Sequence, residues 1–238
     1  MHARGVAAAV AVAVLAGLVA VTSPSGAEAR PDPGGRAVFQ EAFDGARLGV
    51  AWQDGQVYGR WRSQFHGWGT TKITDVAGRR MLAQRPRPAT RPDHTDASLV
   101  TTTRDFGDLD LTASLRTLEQ LRNPTPNPWE VAWLLWHYTD NTHFYYLALK
   151  PDGWELGKED PAYPGAQRFL ATGTAPGFPV GRWYDVRVRQ AGDTTTVWVD
   201  GQRLVSFRDT ERPYRRGAVG LYNEDAAVQF ADVTVVAR

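Results

Sequence analysis

The sequence predicts an all-β protein, a two-sheet antiparallel sandwich, and three observations carry that prediction. Short runs alternating apolar and polar residues recur from residue 38 to the C-terminus, at 99–103, 109–115, 132–138, 144–149, 184–189, 195–199, 218–222 and 228–236. Turn residues separate these runs. Asp200-Gly201, between Val197-Trp198-Val199 and Arg203-Leu204-Val205, is the strongest hairpin signal, because both central residues of such a turn need positive φ. Finally, no 3.6-residue periodicity persists over a helix-length window; residues 114–122 come nearest and stay ambiguous between helix and strand.

Taken in order, the chain begins with a short basic start (His2, Arg4) and an Ala/Val/Leu run over 6–21. Ser23-Pro24-Ser25-Gly26 and the small-x-small Ala27-Glu28-Ala29 follow at once. This is the pattern of a secretory signal peptide over 1–29, not a retained anchor, and it predicts a secreted, extracellular protein. Residues 30–36 (RPDPGGR) form a Pro/Gly linker. The remaining 37–238 suit one sandwich domain. No later segment is long and apolar enough to span a membrane as a helix. Lys+Arg 27 against Asp+Glu 26 argues against nucleic-acid or polybasic membrane-surface partners. With no cysteine, an exported chain relies on its core or on a metal. Residues 85–93 and 123–128 are proline-studded and read as loops, and long loops in a compact domain tend to be functional.

The densest stretch is 129–158, which packs three strands around Thr139-Asp140-Asn141-Thr142 and Pro151-Asp152-Gly153. Alternation sorts its faces. With Leu134, Trp136, Tyr138, Leu147, Leu149 and Leu156 turned to the core, the other face gathers Trp133, His137, Tyr146, Lys150, Glu155 and Glu159. Flat apolar rings beside polar and titratable groups suit a polysaccharide or oligosaccharide, which stacks its rings and is gripped through its hydroxyls. The alternative is structural, with Trp133 and Tyr146 packed beneath loops and Lys150–Glu155 an ordinary cross-strand ion pair. His66, His94, His137 and His143 lack zinc-ligand spacing.

Three further segments complete a pattern. Phe39-Gln40-Glu41-Ala42-Phe43-Asp44-Gly45 precedes Trp52; Trp183-Tyr184-Asp185-Val186-Arg187-Val188 leads to Val197-Trp198-Val199-Asp200-Gly201. Residues 217–222 (GAVGLY) and 228–235 (VQFADVTV) close the chain. In this order they resemble the concanavalin A-like lectin/glucanase superfamily, nearest to its laminin-G-like and 3-keto-disaccharide-hydrolase-like bacterial members. The resemblance implies a jelly roll whose concave face, the face sorted above, takes the ligand. It implies no single reaction, since the fold hosts lectins, hydrolases and lyases.

Retaining endoglucanases of the superfamily carry a Glu-x-Asp-x-Glu strand motif with two working carboxylates. Here Glu155 and Glu159 match, and Gly157 stands where the middle Asp belongs. A glycoside hydrolase using Glu155, with Glu159, Glu130 or Asp160 as partner, is the leading enzymatic expectation. Glu130 is counted with Trp133, Tyr146 and Lys150 among the substrate-binding residues. A non-catalytic lectin or adhesion module is the rival. A lyase, with His137 or Tyr146 as the base and Lys150 neutralising a uronate, is the third possibility. The resemblance also implies a structural Ca²⁺ held by Glu41 and Asp232, with a carbonyl near Gly78. No organic cofactor is expected, and the protein is expected to be a monomer.

Overall fold

The computed structural model describes residues 36–91 and 93–238. The expected signal peptide, and the linker up to residue 35, lie outside the described residues. Sixteen strands follow in chain order. They are β1 (Ala37–Glu41), β2 (Val57–Tyr58), β3 (Trp61–Phe65), β4 (Thr70–Val76), β5 (Arg79–Arg85), β6 (Ala97–Phe106), β7 (Leu109–Gln120) and β8 (Ala132–Asp140). Then come β9 (His143–Lys150), β10 (Gly153–Glu159), β11 (Gln167–Gly173), β12 (Tyr184–Ala191), β13 (Thr194–Val199), β14 (Gln202–Arg208), β15 (Gly217–Glu224) and β16 (Ala226–Ala237). The ambiguous residues 114–122 mostly join β7, because their apolar face is covered by the sandwich rather than by a helical neighbour.

One sheet runs β14-β13-β12-β7-β16-β5-β4, with β1 on β16; the other runs β11-β10-β9-β8-β15-β6-β3-β2, and all pairings are antiparallel. This is the expected two-sheet jelly-roll sandwich. The Asp200-Gly201 hairpin joins β13 to β14 with φ of 49° and 78°, as the sequence requires. Between the sheets lies a core built from alternate residues of both, among them Ile73, Leu82, Leu111, Leu134, Trp136, Leu147, Leu156, Val188, Val197 and Phe230. Polar ties cross it: Trp136 Nε1 donates to Gln190 Oε1 (3.0 Å) and Tyr145 Oη to Asp209 Oδ2 (2.8 Å). Lys158, fully buried on the core side of β10, is compensated by Asp209 (2.8 Å), Asp160 (3.5 Å) and the Glu211 carbonyl (2.5 Å).

The two sheets differ on their outer faces. Along β12 and β13 buried and more exposed residues alternate, which is a strand with one face in water. The central strands of the other sheet, β8, β9 and β10, are buried almost throughout. Their outer face carries a second apolar cluster of Leu99, Trp133, Leu135, Tyr138, Phe144 and Tyr146.

Candidate functional site

The floor of that outer face is aromatic. Trp133 of β8 and Tyr146 of β9 stack at 4.5 Å between centroids, and the Tyr222 ring of β15 meets Trp133 edge-on at 5.4 Å. Trp133 Nε1 donates to the Trp129 carbonyl (2.8 Å), while Tyr146 Oη accepts from Gln167 Nε2 (2.8 Å). The face assigned to Trp133 and Tyr146 is right, but their role as open platforms is not. Trp133 is 4% exposed and Tyr146 0%, because each ring covers the other. Tyr146 also lies over Gly157, where a Cβ would sit 2.4 Å from Cζ and Oη. The phenol therefore fills the space that the middle Asp of a glucanase motif would need. Burial, then the charge of Glu155, raises the Tyr146 pKa well above the phenol value, so the group stays a neutral phenol and does not supply a base.

Around this floor stand carboxyl groups in different states. Glu155 is held by Lys150 Nζ at 2.6 Å, the ordinary cross-strand ion pair. Burial, and after it the charge of Glu224, pushes Glu159 up to about 8. Glu224, at the end of β15, is pushed up to about 7 by burial, with Asp225 and Glu130 adding repulsion, although Tyr222 Oη donates to it (2.7 Å). Sequence reasoning missed Glu224. The signal was there: with Leu221 in the core, alternation turns Tyr222 and Glu224 to the same face as Trp133. Near neutral pH such a pair holds one acid able to give a proton and one carboxylate able to take one.

Glu130 does not face a ligand. It is fully buried, bonded by Arg122 and by Asn127 Nδ2 (2.8 Å). Arg122 also reaches Asp225 (2.8 Å) and the carbonyls of Arg91 and His94 (3.0 Å each). This buried cation thus pins both proline-studded loops beside Glu224. Asp160 likewise pairs with Arg212 (3.2 Å) and Lys158.

His137 leaves the expected face altogether. A bulge in β8, seen as a register shift between Trp136 and Asp140 with His137 at φ 51°, reverses the alternation there. Tyr138, assigned to the core by strict alternation, joins the outer cluster instead. His137 is buried, with its ring nitrogens 2.9 Å from the carbonyls of Tyr214 and Gly107, and burial lowers its pKa. It has no access to a substrate on the aromatic face.

Next to the aromatic floor, on the same sheet, a polar trough of roughly 290 Å³ is lined by Arg62, Gln64, Thr101, Thr103, Asp105 and Tyr138, among others. These hydroxyl, amide and charged groups can exchange hydrogen bonds with sugar hydroxyls. At the far end of the sandwich β1 pairs with β16, which puts Glu41 beside Val233. Glu41 accepts from Phe43 N (2.7 Å) and Trp61 Nε1 (3.3 Å) and pairs with Arg60 (3.5 Å). Asp232 is bound to Arg79 at 2.6 Å, and Gly78 N is taken by Asp75. Both carboxylates expected to hold Ca²⁺ thus already have cationic partners. Among the described residues no three acidic or histidine side chains converge as a metal site.

Among the described residues, no helix is long and apolar enough to cross a membrane. Comparison with curated protein sequences gives no match. Among solved structures, the carbohydrate-binding module CBM66 from Bacillus subtilis is similar with a TM-score of 0.56 at 16% identity, covering 78% of this chain and 99% of that one. SCLam, a non-specific endo-beta-1,3(4)-glucanase from family GH16, gives 0.53 at 13% identity over 87% and 93%. The beta-glucanase of Bacillus licheniformis gives 0.51 at 11% identity over 87% and 100%. At these identities the likeness establishes a shared sandwich fold. Residues 38–236, nearly the whole described chain, match a family model, and the protein belongs to the 3-keto-alpha-glucoside-1,2-lyase-like domain family.

Proposed function

We propose that this domain binds a saccharide on the outer, concave face of the β8–β10 sheet and cleaves a glycosidic bond there by general acid–base catalysis. The single observation behind the proposal is the pair of raised carboxyl groups on one aromatic floor, Glu159 at about 8 and Glu224 at about 7. Buried carboxyl groups with raised pKa values that share one face with aromatic rings are candidates to give and take a proton. Glu159, the weaker acid, is the proton donor, and Glu224 the acceptor. The family description points to elimination across C1 and C2 of a 3-keto-glucoside. A ketone at C3 acidifies the hydrogen on C2. Glu224 takes that proton, the electron pair forms the C1=C2 bond, the C1–O1 bond breaks, and O1 leaves with the proton of Glu159. The polar trough beside the floor grips neighbouring hydroxyls. Glu155, tied to Lys150, has no part in proton transfer in this reading. The export pattern of the first 29 residues makes the substrate an extracellular glycan.

The test is to incubate the purified protein with 3-keto-glucosides and with unmodified α- and β-gluco-oligosaccharides. Leaving-group release, enone absorbance and new reducing ends are followed separately. Enone formation supports elimination, and reducing ends without it mean hydrolysis, the expectation drawn from the Glu155/Glu159 motif. Binding without turnover would make the domain a lectin. Glu159→Gln and Glu224→Gln should each lower turnover by about 100-fold or more. Full activity in both variants refutes the acid–base pair.

A further inference from the structure

Trp68 stands apart from the other aromatic residues. It is 75% exposed, the most open large apolar side chain among the described residues. An isolated exposed tryptophan says little, but this one is held in place. Its φ is 57°, a left-handed conformation that costs a non-glycine residue energy. The flanking glycines let this turn pack tightly against its neighbours. A Cβ at Gly67 would lie 2.5 Å from the Ala97 carbonyl oxygen, and one at Gly69 would lie 2.0 Å from that of Arg85. The Arg87 amide donates to the Gly67 carbonyl (2.8 Å) and the Gly69 amide to that of His66 (3.1 Å). Both sides of the turn are thus clamped to the segment after β5, and the indole between them projects into solvent.

Its place in the fold adds direction. Trp68 follows β3, three residues beyond Phe65, which packs against the outer aromatic cluster and meets Tyr222 edge-on at 6.5 Å. Gly67 touches Ala97, the cross-strand partner of Glu224. The exposed ring therefore stands at the Glu224 end of the aromatic floor. Arg87, ion-paired to Asp96 (3.4 Å), lies with its guanidinium 5.9 Å from the ring centroid. Its remaining N–H groups have no side-chain partner among the described residues and can donate to hydroxyls beside the ring.

We infer that Trp68 is a sugar-binding platform, stacking a neutral pyranose ring beyond the bond that is cleaved and so selecting longer saccharides over disaccharides. This rests on the proposed use of the aromatic face. A rigid flat ring loses little entropy on stacking, which is why clamping it in a strained turn favours binding. The floor rings cannot serve in this way, since Trp133 and Tyr146 cover each other.

Calorimetric titration with α- and β-linked gluco-oligosaccharides of two and five units tests the inference on wild type, Trp68→Ala and Trp68→Asn. Asparagine tolerates the left-handed backbone, so Trp68→Asn separates loss of the ring from loss of the turn. The wild type should bind at least one pentasaccharide about ten-fold tighter than its disaccharide, with the ring's fluorescence protected from acrylamide. Both variants should lose that gain and keep the disaccharide affinity. A gain that persists in the variants, or an equal loss for both lengths, overturns the platform and leaves the proposed function standing. Failure of the wild type to bind any of these unmodified sugars overturns the platform, while the proposed function stands or falls on the 3-keto-glucoside assay. Binding to anionic phospholipid vesicles that Trp68→Asn abolishes would instead assign the ring to a membrane surface and overturn the inference.

Discussion

Gly157→Ala tests the geometry that separates this chain from a glucanase. The new Cβ would sit 2.4 Å from Cζ and Oη of Tyr146, at least 1 Å closer than ordinary contact. Tyr146 cannot swing aside cheaply, since it is fully buried, stacked on Trp133 and bonded by Gln167. Overpacking of this kind costs about 1–3 kcal/mol. Losing the Gln167 bond adds about 1 kcal/mol, while replacing glycine in a strand returns about 0.5–1 kcal/mol. The net loss is about 1–3 kcal/mol, which for a domain of this size lowers Tm by roughly 2–12 °C. Thermal unfolding of wild type, Gly157→Ala, Tyr146→Ala and the double variant measures it as a cycle. In the Tyr146→Ala background the alanine at 157 should cost almost nothing. A Gly157→Ala protein as stable as wild type, or an equal fall in both backgrounds, would refute the claim that Tyr146 occupies the place of the missing Asp. By the same reasoning Gly157→Asp destabilises the fold and does not create glucanase activity.

Trp133→Ala should destabilise by about 3–5 kcal/mol, the usual cost of emptying a buried aromatic site. A Tm unchanged by that substitution would mean the ring is exposed in solution. Glu159 and Glu224 both have folded-state pKa values raised above 4.5, so the stability they leave intact at low pH is lost as pH rises towards about 8 and about 7. Tm should fall between pH 5 and 8, and Glu159→Gln should flatten that slope; an unaltered slope would show that Glu159 titrates normally. With Arg60 on Glu41 and Arg79 on Asp232, a chelator is expected to leave Tm unchanged. A fall that added Ca²⁺ reverses and Asp232→Ala abolishes would place calcium at this strand pair after all.

The all-β sandwich was legible because a strand declares itself locally. Two-residue alternation and Asp-Gly turn chemistry are written in consecutive residues, as β13 and β14 show. The same alternation placed Trp133, Tyr146, Glu155 and Glu159 on one face, and extended to β15 it would have added Glu224. It failed at His137, where one bulged residue reversed the count, and a bulge depends on how β15 packs against β8 through Gly217, not on the run Trp136-His137-Tyr138. Nor does alternation say what covers a face. Whether Trp133 is a platform or a floor depends on the stacking of Tyr146 from the next strand, and whether Glu130 is a ligand group or a buried anion depends on Arg122 arriving from β7's end. The raised pKa of Glu159 is set by desolvation and the charge of Glu224, and that of Glu224 by desolvation and the charges of Asp225 and Glu130, effects that exist only once distant strands meet. Which residues share a face is a local property of the backbone; which of them are open, paired or protonated is a property of the neighbours that tertiary structure supplies.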